Sequence, residues 1–74
     1  MDIKWGTALG SNTIMTGVAT VNDRDFAFVI DRESEWSGWR LRCARGGDIV
    51  FVIESDTAVG AKALAAAFLV GASL

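Results

Sequence analysis

The chain has 74 residues, a net charge of −2, one cysteine, no histidine, no tyrosine and no proline. That length makes a single domain, residues 1–74, which buries only about 60–65% of its unfolded surface, so its core is thin. One cysteine excludes an intrachain disulfide, and the absence of histidine removes the commonest transition-metal ligand.

Residues 1–12 leave open whether "DIKWGTAL" adds a strand. The start has no basic segment followed by an apolar one, so a signal peptide is not expected and a cytoplasmic location is. "TIMTGVATV" (Thr13–Val21) mixes β-branched and small residues and predicts a strand. "NDRD" (Asn22–Asp25) follows as a polar turn. "FAFVID" (Phe26–Asp31) then returns with Phe26, Phe28 and Ile30 on one face. After the polar "RESEWSG" (Arg32–Gly38), "WRLRC" (Trp39–Cys43) alternates, with Trp39, Leu41 and Cys43 inward and Arg40 and Arg42 outward. "RGGD" (Arg45–Asp48) turns the chain into "IVFVIE" (Ile49–Glu54), completing an antiparallel meander.

From Ser55 the pattern changes to helix. Ser55 or Asp56 suits the cap, and seven alanines between Ala58 and Ala72 favour helix strongly. Gly60 costs about 1 kcal/mol there, which predicts a backbone passing close to it. Gly71 is the expected helix end. The longest apolar run, Ala63–Val70, has eight residues, well short of the roughly 20 that a membrane-spanning helix needs. The expected fold is therefore α+β: an antiparallel sheet of three to five strands packed against one C-terminal helix. Its expected core is Phe26, Phe28, Ile30, Trp39, Leu41, Ile49, Phe51, Ile53, Leu64 and Phe68.

On this helix Ala61, Leu64, Ala65 and Phe68 form the bulkier stripe, which is expected to face the sheet. A second stripe of Val59, Ala63, Ala66 and Val70 is then left uncovered, and small side chains let another helix approach closely. This predicts a homodimer seam, although alanines at a surface need no partner.

Reaction chemistry is hard to find. Cys43 alternates with core residues and has no base marked for it. Asp23 and Asp25 fit no metal-loop pattern, and "GSN" and "RGG" lack the lysine of a phosphate loop. No cofactor, metal or catalytic residue is expected. The outward sheet positions Ala27, Val29, Arg40, Arg42, Val50 and Val52 mix apolar and guanidinium groups, as protein-recognition surfaces do. Trp36 in its polar loop is a candidate anchor, and the acids Asp23 and Asp25 are candidates for meeting a basic partner site.

Lys4-Trp5, "GVATVNDRDFAFVIDR" (Gly17–Arg32), "GWRLR" (Gly38–Arg42) and "SDTAVGAKALAAA" (Ser55–Ala67) together resemble small phage and prophage proteins with a β-meander and one C-terminal helix. Some anti-CRISPR proteins look like this in size, charge and lack of catalytic groups. The resemblance implies a non-enzymatic inhibitor that binds a larger protein or ribonucleoprotein, a Cas subunit or complex, in the host cytoplasm. No contact residue carries over from that family, so the partner-binding candidates are those of the loop, sheet face and turn: Trp36, Arg40, Arg42, Asp23 and Asp25. The order of strands then helix also looks like the arm-binding domain of phage integrases, and more weakly like an antitoxin module that dimerises. Arg40, Arg42 and Arg45 are the only clustered cations in an acidic chain, which counts against direct nucleic-acid binding.

Overall fold

The computed structural model describes residues 3–7, 14–34 and 37–72. Five strands, β1 (Lys4–Thr7), β2 (Ile14–Val21), β3 (Arg24–Asp31), β4 (Trp39–Arg45) and β5 (Asp48–Ser55), precede one helix, α1 (Ala58–Ala72). All neighbours pair antiparallel in chain order, β1-β2-β3-β4-β5, and α1 covers one face of the sheet. This is the expected α+β fold at its five-strand limit.

Two tight turns make the meander local. Asn22 and Asp23 sit at φ 52° and 63°, and Gly46 and Gly47 at 59° and 90°. Positive φ at both central residues is what a two-residue I′ hairpin needs, because its twist matches that of the strands. The polar turn is therefore shorter than "NDRD" implies: Arg24 and Asp25 already belong to β3.

Register assembles the core row by row. Trp5, Gly17, Phe28, Cys43 and Phe51 lie opposite one another across all five strands on the helix-covered face. Phe28, Ile30, Leu41 and Cys43 are fully buried, with Phe26, Ala19 and Val21 beside them. Phe68 of α1 comes down into this layer, 4.9 Å from Phe51, 5.4 Å from Phe26 and 6.5 Å from Phe28 between ring centroids. These edge-to-face pairs add to the burial itself.

Gly17 is a packing requirement. A Cβ placed there would stand 2.6 Å from Trp5 Cε3 and 2.7 Å from Ile3 Cγ2, so the indole lies over the bare backbone. From the other side the Lys62 ammonium approaches that ring at 5.7 Å.

Three expected core residues lie outside the core. Ile49 is 61% exposed, because a bulge between Cys43 and Ala44 sets it opposite Ala44. The extra residue breaks the alternation and turns Ile49 to the uncovered face with Val50. Ile53 is 41% exposed at the margin of the outermost strand, with no neighbouring strand beyond it among the described residues. Leu64 is 37% exposed, and Leu69 is buried in its stead with Ala61 and Ala65. The methyl groups of Ala61 and Ala65 let the helix sit close to the sheet, so its contact line turns toward Leu69. Trp39, Phe51 and Phe68 pack against the core as half-buried residues.

The helix start also differs from expectation. Its cap is Thr57, whose hydroxyl accepts the Gly60 N–H at 2.9 Å. Ser55 instead braces the approach, donating to the Thr57 carbonyl at 3.0 Å. The group close to Gly60 is this hydroxyl, 2.5 Å from where a Cβ would stand, and no backbone contacts that point. Gly71 lies inside the last turn, since the helix runs on to Ala72.

Candidate functional site: the open sheet face

The helix covers one side of the sheet, and the side chains of the other side are bare. Its rows read Lys4–Val18–Ala27–Ala44–Ile49, then Thr16–Val29–Arg42–Val52, then Ile14–Asp31–Arg40–Glu54. Ile14, Val18, Ile49, Val50 and Val52 are all exposed here, Val18 at 58%. β-branched residues build strands well, so a sheet of this composition forms readily. They stand on β2 and β5, with the smaller Ala27, Val29 and Ala44 of β3 and β4 on the same face between them, and this shared face sets them apart from scattered surface residues.

The acids of this face stand toward its ends, while Arg42 lies one row in, between Val29 and Val52, and Lys4 lies at the β1 edge. At one end Asp31 receives both arginines of β4: Arg40 Nε at 3.3 Å and Arg42 Nη2 at 2.7 Å. The carboxylate is largely shielded while the arginines stay 40–46% exposed, so the fork holds the guanidinium groups flat against the face. At the opposite end Thr20 donates to Asp25 at 2.6 Å. The two acids are six positions apart along β3, about 20 Å at the usual rise of a strand. Between Lys4, Val18, Thr20, Ala27, Ala44 and Gly46 the face is hollowed into a concavity of about 650 Å³. A second, more polar hollow of about 420 Å³ lies near the helix start, bordered by Glu33, Trp39, Glu54 and Asp56. There the Arg32 guanidinium stacks on Trp39, 4.3 Å from the ring centroid.

The predicted partner-binding residues are only partly brought together. Arg40 and Arg42 share the open face at one end, and Asp25 lies on the same face at the other. Asp23 stands apart in the β2–β3 turn. Trp36, like Glu35, lies outside the described residues. The predicted seam residues Val59, Ala63, Ala66 and Val70 are exposed on the side of α1 away from the sheet, Val59 at 79%. Sequence reasoning missed Ile14, Val18, Ile49 and Asp31 as members of the open face. For Asp31 the signal was present, since it continues the alternation of Ala27 and Val29. For β2 the signal was mixed: Met15 and Val21 face the core, but between them the small Gly17 and Ala19 do, and the bulkier Ile14 and Val18 face outward.

Cys43 is fully buried, and burial pushes its thiol above the ordinary value. A nucleophilic cysteine needs the opposite shift and an accessible sulfur. Among the described residues no three metal-ligating side chains converge, and no helix is long and apolar enough to cross a membrane. No protein-family model, curated protein or solved structure matches the chain.

Proposed function

We propose that this chain is a non-enzymatic binding module that lays its open sheet face on a larger protein and acts by occupying that partner's surface. The observation that carries this reading is the exposure of Ile14, Val18, Ile49, Val50 and Val52 on one open sheet face, with cationic Arg40 and Arg42 on β4 between them. An apolar centre with arginine beside it is the usual make-up of a protein interface. The narrower reading is an inhibitor of phage origin whose partner is a Cas subunit or complex, and it rests on the resemblance alone. A nucleic-acid role is disfavoured by the same geometry: Arg40 and Arg42 both spend charge on Asp31, and phosphate binding draws its affinity from free cations.

The test is a pull-down from bacterial lysate with the tagged parent and with Val18→Lys and Val52→Lys, identifying retained chains by mass spectrometry. The expected result is a defined protein set, with a Cas subunit for the narrower reading, retained by the parent and lost by both variants. Cys43→Ser should retain the same set. Recovery of nucleic acid alone, confirmed by a salt-dependent electrophoretic shift, would overturn the reading.

A further inference from the structure

We infer that the free edge of β5 is a self-pairing surface, joining two copies of this chain into one continuous ten-stranded sheet with antiparallel β5 strands at its centre. The two edges of the sheet differ in a telling way. β1 has four residues and begins with Lys4, and a short strand with lysine is how natural sheets discourage edge-to-edge pairing. β5 has eight residues, with no proline or lysine, and its bulge lies at the Asp48 end. The segment from Phe51 to Ser55 is therefore regular and open, and no described strand pairs with its outer side.

Side chains favour one register. A two-fold axis through Val52 sets Val52 against its own copy, Phe51 against the partner's Ile53, and Glu54 against the partner's Val50. An axis one residue earlier, through Phe51, would set Ile53 against the partner's Ile49, which the bulge has turned to the other face of the sheet. The Val52 register instead forms two aromatic–β-branched pairs and keeps both helices on the same side of the joined sheet.

The helix supplies a shoulder above this edge. α1 runs back along β5: Gly60 meets Ser55, and Phe68 meets Phe51 at 4.9 Å. Leu64 lies midway between Gly60 and Phe68, at the level of Ile53, on the flank opposite Lys62 and its ring contact with Trp5 of β1. Its exposure and that of Ile53 thus fall together on the β5 flank, where a second copy would cover both. The seven residues of β5 paired in this register span about 23 Å, which with about 20 Å of depth gives at most roughly 500 Å² per copy, the size of a weak interface, so association belongs in the micromolar range.

Sedimentation of the full chain from low to high micromolar concentration tests this, with amide hydrogen exchange followed over the same range. The expected result is a monomer–dimer equilibrium, with exchange from Phe51 to Glu54 slowing as dimer forms. Val52→Lys and Ile53→Lys should raise the dissociation constant by about tenfold or more, while Val18→Lys on the open face and Val70→Lys on the exposed helix stripe change it by less than about twofold. All four positions are exposed in the monomer, so unfolding midpoints should stay near the parent's. A parent that stays monomeric throughout overturns the inference. So does a dimer that survives Val52→Lys and Ile53→Lys, or one whose exchange slows in α1 or β2 and not in β5.

Discussion

Replacing Gly17 with alanine should destabilise the domain chiefly through Trp5. The added Cβ would stand 2.6 and 2.8 Å from two indole carbons and 2.7 Å from Ile3 Cγ2. Ordinary contact begins near 3.4 Å, so the ring must retreat by close to an ångström. It cannot do so freely, because Phe28 holds it at 6.1 Å between centroids and Lys62 lies over it. Forcing extra volume into a packed site costs about 1–3 kcal/mol. Relieving the conformational freedom of glycine returns about 0.5–1 kcal/mol. The net loss is therefore about 1 kcal/mol and at most about 2.5 kcal/mol, against the roughly 4–11 kcal/mol expected for a domain of this length. Urea unfolding of four proteins measures it: parent, Gly17→Ala, Trp5→Ala and the double variant. In the Trp5→Ala background only the contact with Ile3 Cγ2 is left, its neighbouring indole is gone, and Gly17→Ala should cost less by about 1 kcal/mol. An equal loss in both backgrounds would refute the reasoning, since the cost would then lie in the backbone and not in the indole.

The rotation of α1 makes a second prediction: Leu69→Ala should cost about 2–5 kcal/mol and Leu64→Ala less than about 1 kcal/mol, in monomer at low concentration. Equal losses in urea unfolding would return Leu64 to the core. The third concerns Cys43, whose thiol burial pushes above its ordinary value of 9.0, so the folded state holds this proton more tightly than the unfolded chain does. Its contribution to stability is complete below the unfolded value and is lost as pH rises through the folded one. The unfolding midpoint of the parent should thus fall more steeply above about pH 9 than that of Cys43→Ala, and near neutrality alkylation of the thiol should proceed only at the rate of opening. Rapid alkylation of the folded protein would contradict its burial.

Much of this architecture is legible in the chain because the decisive signals are local. Alternation over Phe26–Asp31 and Trp39–Cys43 assigns the faces of β3 and β4 correctly, since successive side chains of a strand point to opposite sides. Two-residue turns then leave β2 no choice but to pair with β3, and β4 with β5. The mixed apolar and guanidinium character of the open face is visible in the same alternation, through Ala27, Val29, Arg40 and Arg42. The bulge at Cys43/Ala44 is not visible there, and it alone decides that Ile49 joins the open face. Nor does the sequence rank Leu69 over Leu64: both lie near an alanine-rich face, and only the closeness permitted by Ala61 and Ala65 selects between them. The fork of Arg40 and Arg42 on Asp31 joins neighbouring strands through their register. Composition and periodicity therefore determined which elements form and which sides of β3 and β4 are greasy. Contacts between elements decided the depth at which each residue lies, because burial depends on what arrives from elsewhere in the chain, as Trp5 does over Gly17.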